Sequence, residues 1–247
     1  MVEKIHDDLL VVKDLSRSFG SLMAVNNLSF EVRRGEIFGI IGPNGSGKTT
    51  VFNLLTGLLK ADNGSIILDG KDITSLSAAR RCKTGIGRTY QIPRPFTKMT
   101  VLENLMVPAV HGGGLSEKEA VRVSDEILEL ISMAEVRNKF ASTLSLLDRK
   151  RLELGRALAT QPSIILIDEV AGGLTEKEVE QLLGIVKMIQ SQGITIIWIE
   201  HIMMMMSDGA DRVLCIAEGK RMQCGDPAEV MCSDEVLECY LGEEEDD

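Results

Sequence analysis

The chain has 247 residues, 44% of them hydrophobic, with 27 basic against 37 acidic residues and a formal net charge of −10. That is enough apolar material for one large α/β domain with an inserted subdomain, and the acidic balance argues against nucleic acid as the main partner. Apolar runs fall far short of the roughly 20 residues that cross a bilayer, and Met1-Val2-Glu3-Lys4 lacks the apolar segment of a signal peptide, so a cytosolic protein is expected.

The first segment reads as β-rich. Leu9–Val12, Leu28–Val32 and Ser65–Leu68 are separated by turn residues including Gly35, Asn63-Gly64 and Gly70, which predicts short antiparallel strands. A strand-like run, Ile37-Phe38-Gly39-Ile40-Ile41, then leads into Gly42-Pro43-Asn44-Gly45-Ser46-Gly47-Lys48-Thr49-Thr50. This stretch fits the phosphate-loop pattern in full. Glycines at these spacings let backbone N–H groups turn inward around phosphate oxygens, and a helix starting near Lys48 adds the positive end of its dipole. Lys48 is placed to reach the β- and γ-phosphates of ATP or GTP, and the Thr49 hydroxyl to complete a Mg²⁺ shell.

From Thr100 the pattern turns helical. Thr100/Glu103 and Ser116/Glu119 are spaced as capping boxes, and Ile127, Leu128 and Ile131 share one helical face, which predicts an inserted helical lobe. Strand signals return at Ile164–Ile167 and Ile194–Ile199, continuous apolar runs of the kind buried on both faces of a parallel sheet. Between them a third capping box, Thr175/Glu178, opens a helix with Val179, Leu182, Leu183 and Val186 on one stripe. The first of these strands ends in Asp168-Glu169. Two acids after a strand could serve as a helix N-terminus or a surface turn. Opposite a phosphate loop they suit Mg²⁺-nucleotide chemistry, Asp168 holding the Mg²⁺ shell and Glu169 polarising the attacking water.

Several further residues fall in the order seen in ATPase subunits of ABC transporters, and the chain resembles that family over nearly its whole length. Phe19 resembles the aromatic that stacks on adenine. Gln91 resembles the glutamine that senses γ-phosphate, helps hold Mg²⁺ and meets the membrane subunit. His201 resembles the switch histidine at the end of the next strand. The segment Arg94–Asn104, the run Glu169–Leu174 and the ending Leu237–Gly242 are similar to those of branched-chain amino-acid importers, with Val170 where a proline is usual. Lipopolysaccharide-export ATPases are near relatives, and a soluble regulatory ABC ATPase is the alternative from another class.

The resemblance implies a P-loop NTPase (RecA-like) core with an antiparallel β subdomain, residues 1–92 and 160–247, and a helical subdomain, residues 93–159. It implies ATP and Mg²⁺ as cofactors, membrane-spanning permease subunits as partners, a position on the inner face of the cell membrane, and no nucleic acid. The family's signature loop, usually Leu-Ser-Gly-Gly, stands here as Leu144-Ser145-Leu146-Leu147-Asp148. The resemblance implies Ser145 as the phosphate contact that this loop retains. Leucines lack the glycines' freedom and add bulk, and Asp148 would repel a phosphate unless its carboxylate is turned aside. Either this loop weakens the site it faces, which implies a heterodimer with a second ATPase subunit, or the leucines point back into the helical lobe.

Four other features carry plainer expectations. The five cysteines show no paired metal-ligand spacing and read as reduced thiols. Met203–Met206 reads as a partly buried helix start, Trp198 as a core residue and Arg149-Lys150-Arg151 as an exposed helix face. Glu243–Asp247 reads as a solvated tail.

Overall fold

A computed structural model describes residues 8–241. Glu243–Asp247, expected to form a solvated tail, lie outside them. The chain divides into two compact units, one formed by residues up to Ala78 and from Ile197 onward, the other by Ala79–Ile196.

The first unit opens with β1 (Asp8–Phe19), β2 (Leu22–Arg33), β3 (Ile37–Ile41), α1 (Lys48–Leu55), β4 (Asn63–Leu68) and β5 (Lys71–Asp72). Strands β2, β1, β4 and β5 form an antiparallel sheet in that order. The first two strands are 12 residues each, longer than the short strands expected from sequence. Pairing continues through register shifts in which Asp14 and Asn27 adopt φ of 50° and 51°. The Asp14 N–H donates to Ser29 Oγ at 2.8 Å, so the irregular backbone there keeps a hydrogen-bond partner.

The second unit carries α2 (Ala78–Lys83), β6 (Ile86–Arg88), α3 (Val101–His111), α4 (Glu117–Leu130), α5 (Leu146–Leu158), β7 (Ile164–Asp168) and α6 (Glu176–Ser191). The parallel pair β6–β7 is covered by α5. Helix α3 packs on α4 and α5, burying Leu105, Ile127, Leu128 and Leu154. All three capping boxes form as the spacings predict: Thr100, Ser116 and Thr175 each exchange hydrogen bonds with the glutamate three residues on.

Strand β8 (Thr195–Ile199) crosses the division. The chain then completes the first unit with α7 (Met203–Gly209), β9 (Arg212–Ala217), β10 (Lys220–Gly225), α8 (Pro227–Met231) and α9 (Asp234–Leu241). Strand β3 runs parallel to β9, which pairs with β10 as a hairpin. Phe30 of β2 stacks on Phe38 of β3 with centroids 5.6 Å apart and planes 7° from parallel, joining the unit's two sheets through a contact of about 0.5–1.5 kcal/mol beyond its area.

Trp198 is fully buried, and α7 buries Met205 and Met206 while exposing Met203 and Met204, both as expected. The basic cluster differs. Lys150 is buried, and Arg151 bonds to Gln181 at 2.7 Å and lies 3.5 Å from Asp148, so only Arg149 faces solvent. The 3.6-residue period turns the middle member of the triplet toward the core.

Candidate nucleotide site

Within the first unit, the phosphate loop spans the end of β3 and the start of α1. Gly42 has φ of 148° and Gly47 of 104°. A Cβ on Gly42 would lie 2.0 Å from the Ile216 carbonyl oxygen, and one on Gly47 2.3 Å from that of Ala24. Both positions therefore require glycine on contact and conformation together. The loop rests against the β9–β10 turn, whose Gly219 N–H donates to the Ser46 carbonyl at 3.0 Å.

Lys48 is buried and its Nζ donates to the carbonyls of Gly42 (2.7 Å) and Pro43 (2.8 Å). Gly47 caps α1 without a side-chain hydrogen bond of its own. Ser46 Oγ is buried without a hydrogen-bond partner. These are donors of the kind a phosphate group satisfies, and they fit a nucleotide anion. Pro43 is half-buried, Asn44, Gly45 and Thr49 are exposed, and Thr50 is half-buried in α1. Phe19, at the end of β1, is 43% exposed with the Arg17 guanidinium 5.1 Å over its ring. His201 is exposed two residues past β8, and its N–H donates to Glu200 Oε2 at 3.1 Å.

The second unit assembles another group. Asp168 ends β7, nearly buried, with Arg88 Nη2 3.0 Å from its Oδ2 and its own N–H donating to Thr89 Oγ1. Glu169 takes φ of 43°, a left-handed conformation that costs a non-glycine residue of order 1–3 kcal/mol. Gln91 Nε2 donates to Glu169 Oε2. The structure thus brings Gln91 and Glu169 together, and Gln91 lines one hollow with Asp168.

Sequence reasoning gave no role to the bracket behind Gln91. Glu153, buried on α5, accepts Arg156 Nη1 at 2.8 Å and the backbone N–H groups of Tyr90 and Arg94. Burial pushes its carboxyl above the usual range, opposed by Arg156. Arg156 also donates to the Arg94 carbonyl at 3.0 Å and lies 5.2 Å over the Phe96 ring. A hollow of about 560 Å³ opens between Tyr90, Gln91, Arg94, Glu153, Arg156 and Asp168. The i,i+3 spacing of Glu153 and Arg156 was the available signal, and it cannot reveal what the pair holds.

Ser145 is the N-cap of α5, its Oγ accepting the Asp148 N–H at 3.1 Å and lying 2.9 Å from Asp148 Oδ2. The two leucines part company. Leu147 is buried in the helical lobe, and Leu146 is 45% exposed. Asp148 is turned toward Ser145 and Arg151.

The family model for ABC transporter matches residues 25–172. The branched-chain amino acid transport ATP-binding protein LivG of Salmonella typhimurium is 38% identical, covering 95% of this chain and 98% of its own. The lipopolysaccharide export ATP-binding protein LptB of Haemophilus influenzae is 33% identical over 96% of this chain and 98% of its own. Among solved structures, the ADP conformation of MJ1267, an ATP-binding cassette of an ABC transporter, superposes with a TM-score of 0.87 at 32% identity, over 95% of this chain and 99% of that one. The phosphate loop, the acids closing β7 and these likenesses agree, and the chain belongs to the ABC transporter family of ATP-binding cassettes.

Proposed function

We propose that this chain is the ATP-hydrolysing subunit of an importer for branched-chain amino acids or related small polar solutes. The observation that carries the reading is the phosphate loop, held by backbone contacts at Gly42 and Gly47 with donors fit for an anion, in a chain 38% identical to LivG. Gly42 to Thr50 would cradle the phosphates of ATP, with Lys48 exchanging its loop carbonyls for β- and γ-phosphate oxygens. Phe19 would stack on adenine. Thr49, Asp168 and Gln91 would hold Mg²⁺, whose charge would offset that of the phosphates. Glu169 would orient and polarise the attacking water, and His201 would steady the γ-phosphate.

The expected domain division stands as part of the proposal, with residues 93–159 as a helical lobe. Gln91 and the segment bracketed by Glu153 and Arg156 would transmit closure to membrane-spanning subunits on the inner face of the membrane. No helix among the described residues is long and apolar enough to cross a membrane. A second ATPase subunit would complete the dimer, with Ser145 facing its nucleotide. Binding of a fluorescent ATP analogue tests the base of this reading: Lys48→Ala should lose tight binding, and unchanged affinity would remove it.

A second reading, an ATPase of lipopolysaccharide export, is favoured by the identity to LptB. Substitution of this chain for the ATPase of each system separates the two. Restored amino-acid uptake supports the first reading, and restored lipopolysaccharide export alone supports the second.

A further inference from the structure

The C-terminal helix α9 reaches the phosphate loop. The N–H of Gly42, first residue of that loop, donates to the Tyr240 hydroxyl oxygen at 2.7 Å across 198 residues of sequence. The two sides of Gly42 are thus held by different elements: its carbonyl accepts Lys48 Nζ, and its N–H is held by α9. Its Cα is fixed as well, since the position of a Cβ is filled by the backbone of Ile216 on β9. Val236, one turn earlier on α9, is fully buried and anchors the helix. Beyond Gly42 the Pro43 carbonyl accepts Lys48 Nζ, and the Ser46 carbonyl accepts the Gly219 N–H. Pro43, Asn44, Gly45 and Ser46 border a hollow of about 690 Å³ that Glu238 and Cys239 of the same helix also line.

We propose that Tyr240 is a positioning residue for the nucleotide site. Its hydroxyl fixes the peptide plane entering the phosphate loop, and so sets the direction of the amides that follow. This inference rests on the nucleotide reading above. Lys48 holds the carbonyls of Gly42 and Pro43, and the Tyr240 hydroxyl holds the N–H at the loop's entry, where φ near 148° lies in a region in which glycine meets few steric limits. Preorganisation of donors is worth most where the bound group carries full charge. The effect should therefore fall on nucleotide affinity, while the groups at Asp168 and Glu169 that act on the attacking water keep their geometry. It also ties the nucleotide site to the end of the chain, so that whatever displaces α9 weakens nucleotide binding.

The test is Tyr240→Phe, which keeps the ring and removes only the oxygen, measured with a fluorescent ATP analogue and by steady-state hydrolysis. Loss of one neutral hydrogen bond predicts a Kd and KM raised about three- to tenfold, kcat within twofold, and a melting temperature without nucleotide within about 2 °C of wild type. A second variant carrying 3-fluorotyrosine at position 240, assayed below the pH at which that phenol ionises, keeps the shape and weakens the oxygen as an acceptor. It should fall between the other two. Unchanged nucleotide affinity in both variants overturns the proposal, as does a fall in kcat that tracks a fall in melting temperature. Lys48→Ala in the same series keeps the two readings apart. If wild type binds ATP, Lys48→Ala does not and Tyr240→Phe matches wild type, only the Tyr240 inference fails.

Discussion

Replacing Glu153 with Ala removes the acceptor shared by Arg156 Nη1 and by the backbone N–H groups of Tyr90 and Arg94. The Glu153 side chain is 5% exposed and that of Arg156 21%. A buried donor left without its acceptor costs about 1–3 kcal/mol, and orphaning one partner of a buried ion pair costs about 3–5 kcal/mol. Because the three donors converge on one carboxylate, these losses overlap and do not add. The expected cost is about 4 kcal/mol out of the roughly 5–15 that hold a native protein together. At about 2–4 °C per kcal/mol for a chain of this size, the melting temperature should drop on the order of 10 °C. Glu153→Gln keeps one acceptor oxygen and should lose less, about 1–2 kcal/mol.

The pH dependence has a definite sign. Burial raises the folded-state pKa of Glu153 above its unfolded value, so its contribution is fully present below the unfolded value and is lost as pH rises through the folded one. Thermal melts of wild type and Glu153→Gln across about pH 4–8 should therefore show wild type gaining relative to the variant as pH falls. A gap that widens with rising pH, or a Glu153→Ala protein that melts like wild type, would refute the bracket.

Phe96→Ala, which removes the ring beneath Arg156, should lower substrate transport well below the fall in basal hydrolysis. Parallel losses in a transport and a soluble ATPase assay would make Phe96 a support of the fold. In a heterodimer with a second ATPase subunit, Glu169→Gln here should collapse turnover, while the equivalent change in the partner should matter little. The exposed Leu146 stands where a glycine is usual, and losing one preorganised phosphate donor costs on the order of 3 kcal/mol, about a hundredfold in rate. Equal losses from the two mutants, or brisk hydrolysis by this chain alone, would contradict that asymmetry. Backbone and hydroxyl hydrogen bonds from Thr100 and Thr175 lower the pKa values of Glu103 and Glu178, so their contributions are lost as pH falls through the folded values. A Thr100→Ala, Thr175→Ala double variant keeps the backbone bonds and loses the hydroxyls, so it should lose stability at neutral pH and show a somewhat flatter acid limb in melts; an unchanged limb would exclude the two hydroxyls as a source.

What was legible in the sequence was local. The capping boxes declare themselves through a three-residue spacing, and the phosphate loop through glycines and a lysine within nine positions. The buried runs of β3, β7 and β8 show as unbroken apolar stretches. What was hidden depends on distance along the chain. β1 and β2 run past the apolar stretches that mark them, because cross-strand pairing continues through register shifts at Asp14 and Asn27 that only the partner strand reveals. The pairing of Arg88 with Asp168 spans 80 residues and that of Gly42 with Tyr240 spans 198, and neither leaves a spacing signal. The helix splits the two signature-loop leucines, burying Leu147 and exposing Leu146, since consecutive helical positions sit about 100° apart.

Uptake of a labelled branched-chain amino acid into proteoliposomes, containing this chain with its partner ATPase and permease subunits, tests the central claim most directly. Uptake should require ATP, should proceed with the wild-type chain, and should fall about 10²–10⁴-fold with Glu169→Gln while ATP remains bound. Wild-type uptake by the Glu169→Gln complex, or ATP hydrolysis that survives Lys48→Ala unchanged, would contradict the account.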